Sequence, residues 1–251
     1  MYRTFAAASV AVTAMLSIAV QAAPLKLCTV DWPPYTVSDG RQVGGMHTDM
    51  VSAIFARLKL EVQIDQIAWE RCLKEVETGG YDAAYSASFK PDRAEYAIYP
   101  KAPLQTVSYV VVAAKGAGDG WDAHKDAAKL TQPIAAPRGF SVTSDLKKLP
   151  GVTVDDGSAT DLQDMQKLGA GRIKTVVIEA SVARSLIGTL KLADKVDVLQ
   201  PDFATGKDYF VIVSKKYGGS PAAAQQLAYQ IAAAVGDLRG SGEFDRITAR
   251  Y

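Results

Sequence analysis

Between Leu25 and Leu238 short apolar runs alternate with amphipathic stretches, and few folds satisfy that alternation. Leu25–Val30, Glu61–Ile67 and Ala83–Ser86 read as strands. Met46–Leu58 and Glu70–Thr78 read as helices, the first with Met46, Met50, Ile54 and Leu58 at four-residue spacing. Gly79-Gly80 stops the second helix. Thr106–Ala114 (TVSYVVVAA) reads as a long buried strand. The pattern then recurs, with strands at Pro133–Ala136, Val152–Asp155 and Thr175–Ile178 and helices at Ser141–Lys148, Thr160–Leu168 and Ser181–Leu190. Strands at Val196–Leu199 and Tyr209–Val213 precede an Ala-rich helix over Pro221–Leu238. The class is therefore α/β, built from two similar βα sets. Two lobes with a cleft between them follow, with long strands at 105–112 and 206–213 as natural crossing points. The GAGDG loop after Ala114 is read as a turn, because no lysine or strand–helix phosphate signature accompanies it.

The first residues bear on the compartment. Arg3 precedes an apolar, Ala- and Val-rich stretch from Phe5 to Val20, and Val20-Gln21-Ala22 places small residues where a signal peptidase requires them. Residues 1–22 are expected to be a secretory signal peptide, cleaved after Ala22. Cys28 follows Leu27 and does not fit a lipid-attachment site, so the mature chain is expected to be soluble in the periplasm. Arg3 is the one charged residue of the leader, which leaves 27 basic and 27 acidic residues in the remainder. That balance gives no support for binding nucleic acid or an anionic membrane. The two cysteines admit a Cys28–Cys72 disulfide without requiring one, and both positions also read as buried core. His47 and His124 lie far apart without a ligand cluster, so neither a metal nor another cofactor is expected.

The chemistry concentrates at strand ends, where open α/β sheets bind ligands. In Gly79–Arg93 (GGYDAAYSASFKPDR) Ser86 and Ser88 are two apart, on one face of an extended segment, and Arg93 follows Pro91. Hydroxyls and a guanidinium suit a small anion such as a carboxylate; a surface ion pair with Asp92 or Glu95 is the competing reading. Trp32, in the Asp31-Trp32-Pro33-Pro34-Tyr35 loop, and Trp69 could wall a pocket by burial and cation–π attraction. Gly139-Phe140-Ser141 offers free amides and a hydroxyl before a helix. Glu179 ends the apolar strand 175–178 and is either a helix-start carboxylate or a partner for a cationic ligand group. Anion donors on one side and an acid on the other describe a site for a zwitterion.

These segments resemble the bacterial extracellular solute-binding proteins of family 3, the polar amino acid receptors of ABC importers. LKLCTVDWPPYTV resembles the family's opening strand and aromatic loop, and GGMHTDMVSAIFARLKLEV its "G-F-D-x-D … A-x-x-L" helix. GGYDAAYSASFKPDRAEYA resembles its "G-x-x-D … T-x-x-R" segment, and GSGEFDRITARY its closing "G-x-x-x-x-I-x-x-x-Y/W". The resemblance implies a type II periplasmic-binding-protein fold: lobe 1 from 23–104 and 210–251, lobe 2 from 105–209, joined by a two-strand hinge. It implies a monomer that captures a small polar, amino acid-like ligand and delivers it to an inner-membrane ABC permease. By position Arg93 would hold the ligand carboxylate with Ser88 and Ser141, Glu179 would receive the ammonium, and Trp32 and Trp69 would sandwich the side chain. Thr29 stands where receptors for basic amino acids carry an acid. The family's "F-S-D-P-Y" is Tyr99-Pro100-Lys101-Ala102-Pro103 here, the aspartate of "G-R-x-D-A" is Lys174, and Glu179 is one methylene longer than the usual aspartate. These departures leave the fold expectation intact and widen the ligand class to related zwitterions. The same fold also hosts cyclohexadienyl and arogenate dehydratases, and a free-standing ligand sensor is a third reading.

Overall fold

The computed structural model describes residues 23–118, 121 and 126–251; the expected leader and His124 lie outside them. The chain opens with β1 (Leu25–Thr29), a short ribbon of β2 (Val37–Ser38) and β3 (Val43–Gly44), α1 (Met46–Leu58), β4 (Val62–Gln66), α2 (Trp69–Thr78) and β5 (Ala83–Ser88). A one-turn helix α3 (Pro91–Ala94) and β6 (Ala97–Ile98) lead into β7 (Gln105–Ala114). Next come β8 (Ile134–Ala135), α4 (Ser141–Leu146), β9 (Val154–Asp155), α5 (Asp161–Gly169), β10 (Thr175–Glu179) and α6 (Ala180–Thr189). The chain returns through β11 (Val196–Ser214), α7 (Pro221–Gly240) and α8 (Glu243–Thr248).

Local sequence accounts for most of these boundaries. On α7 Ala224, Leu227, Ala228, Ile231, Ala234, Val235 and Leu238 are buried, an apolar stripe at three- and four-residue steps. Its start is fixed by Ser220, whose hydroxyl accepts from the Ala223 amide, and by Pro221 in the first turn. Helix α2 buries Trp69, Cys72 and Val76 and stops at Gly79, which adopts φ 88°, a left-handed conformation that glycine takes without steric cost. Strand β10 is buried at every position, as a strand covered on both faces must be.

The strands run in the order β4-β1-β5-β11-β7-β10-β8-β9, with β6 also on β11. Strand β1 pairs in parallel with β4 and β5, and β8 pairs in parallel with β10 and β9. Between these two parallel sets, β7 and β11 form an antiparallel pair. The result is two βα lobes joined by two strands. The sequence predicts two strands where β11 runs unbroken for 19 residues. Pro201 and Gly206 interrupt the apolar pattern, but β7 still partners Ala204 and Lys207 across two register shifts, so the interruption is absorbed as irregular extended backbone. Cys28 and Cys72 are both fully buried and bonded, with Cα atoms 5.7 Å apart, which ties β1 to α2.

Candidate functional site

Strand ends and helix starts of the two lobes converge on one cavity, lined by Val30, Trp32, Trp69, Ser86, Ser88, Arg93, Phe140, Ser141 and Tyr209. Six of the seven residues singled out in the sequence are in that lining; Glu179 is not. The lobes are pressed together around it. About 10 Å³ is open to the centre of a water molecule, roughly room for one water.

Arg93 lies in α3, next to the end of β5, and is 2% exposed. Its Nη1 donates to the Ser88 carbonyl at 2.9 Å and its Nη2 to the Gly139 carbonyl of the opposite lobe at 2.8 Å. Its guanidinium sits 5.4 Å from the centre of the Trp69 ring. Nε has no hydrogen-bond partner, and Arg93 forms no ion pair among the described residues. The surface pairing with Asp92 or Glu95 is not formed. Gly139 has φ +79°, and a Cβ there would lie 3.1 Å from Glu70 and 3.5 Å from Trp69, so the close approach of the lobes needs glycine.

Further bonds cross the cleft around Arg93. Ser88 Oγ donates to Ser141 Oγ at 2.6 Å, and Lys90 Nζ donates to Ser144 Oγ at 3.0 Å. Arg138 Nε reaches Glu70 Oε2 at 3.1 Å. Trp32 is 2% exposed, stacks on Tyr209 with ring centres 4.8 Å apart, and donates from Nε1 to Asp161 Oδ2 at 2.9 Å. Ser86 departs from the regular strand geometry that the two-residue spacing assumes. Its φ is +61°, where β5 bulges against β11, yet Ser86 and Ser88 both line the cavity.

Glu179 is placed by the end of β10 and caps α6. Its Oε2 accepts from the Ser181 and Val182 amides, each at 2.8 Å. Burial raises its carboxyl above the usual carboxylate range, while those amides and the Tyr35 hydroxyl oppose the rise. Asp161, in the first turn of α5, is also buried, and its carboxyl is pushed up to about 8 by burial first and by the Asp164 charge second. Asp164 is raised to about 6, chiefly by burial. Neither Asp161 nor Glu179 forms an ion pair among the described residues. Burial and the charges of Asp161 and Glu179 raise the Tyr209 phenol, which Arg93 opposes.

Sequence reasoning missed Asp161, Tyr209, Phe140 as a wall, and His47, whose ring is bonded to Ser86. Phe140 and Tyr209 had visible signals, since Phe140 precedes Ser141 and Tyr209 begins a predicted strand. Among the described residues no group of three or more His, Cys, Asp or Glu could hold a metal ion, and no helix is long and apolar enough to cross a membrane.

Two parallel βα lobes, an antiparallel connecting pair and a cleft at the strand ends define the type II periplasmic-binding-protein fold. The chain belongs to the bacterial extracellular solute-binding proteins, family 3, whose model matches residues 25–251. Solved structures agree on the fold. An ancestral arginine-binding protein bound to arginine is 19% identical with a TM-score of 0.77, over 92% of this chain and 99% of that one. An ancestral amino acid-binding protein described as a precursor of cyclohexadienyl dehydratase is 18% identical, TM-score 0.74, over 91% and 94%. The arginine-, lysine-, histidine-binding protein of Geobacillus stearothermophilus is 13% identical, TM-score 0.72, over 91% and 94%. No curated protein matches the chain.

Proposed function

We propose that this solute-binding protein captures a small zwitterion, an amino acid or a related compound, between its lobes and delivers it to an inner-membrane ABC permease. One observation carries the reading: Arg93, a buried cation without an acid, lines the same cavity as Trp32, and Trp32 is hydrogen-bonded to Asp161, a buried acid without a cation. Burying an unpaired charge costs several kcal/mol, so Arg93 calls for an anion from outside the chain, and a ligand cation nearby would favour the charged form of the acids that burial disfavours. Arg93 takes the ligand carboxylate, with Ser88 and Ser141 as further donors. Trp32, Trp69 and Phe140 enclose the ligand body, and its cationic end is drawn toward Asp161 and Glu179. Lobe 1 comprises 23–104 and 210–251 and lobe 2 comprises 105–209. The protein acts as a periplasmic monomer after loss of 1–22.

A ligand larger than a water requires the lobes to part and then close on it, a hinge motion about β7 and β11. The test is thermal unfolding of the ligand-stripped protein against amino acids, opines, small peptides and prephenate. A ligand at about 100 times its dissociation constant should add roughly 2.7 kcal/mol, a shift of several degrees. Stabilisation by a zwitterion is the expected result, and silence across all zwitterions would refute the reading. A second reading rests on Asp161, whose carboxyl is protonated near neutral pH as a general acid must be. Conversion of prephenate to phenylpyruvate would favour that dehydratase alternative.

A further inference from the structure

A hydrogen-bonded relay, buried at His47 and Ser86 and half-buried at Gln105, runs from the hinge to the cavity wall. Gln105, the first residue of β7, places Oε1 3.1 Å from His47 Nε2. On the other side of the ring, His47 Nδ1 lies 2.9 Å from Ser86 Oγ. His47 comes from the first turn of α1, is 0% exposed, and packs 4.4 Å from the Tyr35 ring. Burial pushes His47 down to about 3, so the imidazole is neutral and carries one proton. An amide oxygen can only accept, which puts that proton on Nε2 and leaves a lone pair on Nδ1. The Ser86 hydroxyl then has to donate its single proton inward, to His47. Ser86 also lines the cavity, where φ +61° turns it out of the regular strand alternation.

We infer that the Gln105–His47–Ser86 relay makes Ser86 a dedicated hydrogen-bond acceptor in the cavity, selecting ligands that present an N–H or O–H donor there. This rests on the reading of the cavity as the ligand site, and it refines the ligand class. Arg93 only donates and Ser86 only accepts, so a compound that carries a carboxylate and an ammonium fits both. The same acid without its amino group leaves the lone pairs of Ser86 desolvated and unpaired, a penalty that sites built to bond a polar group exact on analogues lacking it.

The first experiment reads the relay without any ligand. Long-range ¹H–¹⁵N correlation spectra of the full chain labelled with ¹⁵N-histidine contain two imidazoles, and His124→Gln assigns them. The expected result is His47 as the neutral Nε2–H tautomer, unchanged from about pH 5 to 8. The Nδ1–H tautomer, or a protonated ring in that range, overturns the relay. The second experiment compares amino acids with their des-amino acids by calorimetry, L-alanine against propionate and L-phenylalanine against 3-phenylpropionate. The amino acid should bind at least about tenfold more tightly, and that preference should shrink by about tenfold in Ser86→Ala. Ser86→Gly, which suits a positive φ, serves if Ser86→Ala does not fold. A preference undiminished by loss of the hydroxyl overturns the inference. Absence of binding throughout, with the Nε2–H tautomer present, would instead overturn the zwitterion reading and leave the relay standing.

Discussion

The two faces of the cleft are built by opposite means. Lobe 1 contributes a cation and two indoles, and a covalent bond references them to one another. Cys28 lies four residues before Trp32 and Cys72 three residues after Trp69, so the disulfide fixes both aromatic walls beside Arg93. Lobe 2 contributes its polar groups at helix starts: Ser141 on α4, Asp161 on α5 and Glu179 before α6. These are held by hydrogen bonds alone, and the acids sit in burial that disfavours their charge. A rigid cationic face and a hydrogen-bonded acidic face suggest a division of labour. On the proposed function, the first would anchor a carboxylate in a fixed place, and the second would respond electrostatically to a cation brought to it.

The largest test of that asymmetry is Arg93→Ala. Losing the buried guanidinium should weaken binding of a stabilising zwitterion by about 3–5 kcal/mol, a factor of several hundred or more. The unfolding free energy should fall by much less, because the lost bonds to two carbonyls are offset by the removed cost of burying the charge. Calorimetry and urea denaturation of the same preparation separate the two effects. Near wild-type affinity would remove the carboxylate role from Arg93.

Breaking the covalent brace comes next. The disulfide closes a loop with a sequence separation of 44, for which chain entropy suggests about 4 kcal/mol of stabilisation. The double variant Cys28→Ala, Cys72→Ala should therefore show a lower urea midpoint and, at temperatures where it stays folded, weaker ligand binding. Unchanged stability would mean that packing of two fully buried side chains, not the bond, positions the aromatic walls.

On the acidic face, the sharpest probe is pH. Asp161 has a folded-state pKa of about 8 against an ordinary value of 3.8. Between those values the folded protein binds more protons than the unfolded chain, so this group makes stability fall as pH rises, by at most about 1.4 kcal/mol per pH unit. Its contribution is intact below about pH 4 and is lost progressively toward pH 8. Asp164 and Glu179 are raised too and tilt the wild-type curve in the same direction. The difference between Asp161→Asn and wild type isolates the group: the variant should gain relative stability with rising pH, measured as melting temperature across that range. A flat difference would place Asp161 in contact with water.

How legible each face was in the sequence follows from the same contrast. Arg93, Ser86, Ser88, Trp32 and Trp69 stand at the ends of predicted strands and helices of one lobe, so period and turn signals alone bring them together. Asp161 gave no such signal. An acid in the first turn of a helix is ordinarily a solvated partner of the helix dipole, and only Trp32, 129 residues away in the other lobe, shows that this one is buried. His47 was likewise unreadable, because its role depends on Ser86 and Gln105, 39 and 58 residues on. The continuity of β11 escaped because Pro201 and Gly206 look like a loop until β7 is there to pair with Ala204 and Lys207.

The smallest expected effect, and the one that decides what the acidic face does, belongs to Glu179. Glu179→Ala removes the acceptor for two α6 amides and should cost about 1 kcal/mol of stability, the usual price of a lost cap. Glu179→Gln keeps an oxygen for those amides, so most of that stability should remain. Because Glu179 lies outside the cavity lining, a ligand in the cavity would feel its charge at a distance rather than by contact. Glu179→Gln should then weaken zwitterion binding by only about 1 kcal/mol, and the loss should shrink at high salt less than a surface pair's would. A loss as large as that of Arg93→Ala would mean that closure on a ligand carries Glu179 into direct contact, and the two faces would be equal after all. No loss at all would confine Glu179 to its helix and leave Asp161 as the acid that the ligand meets.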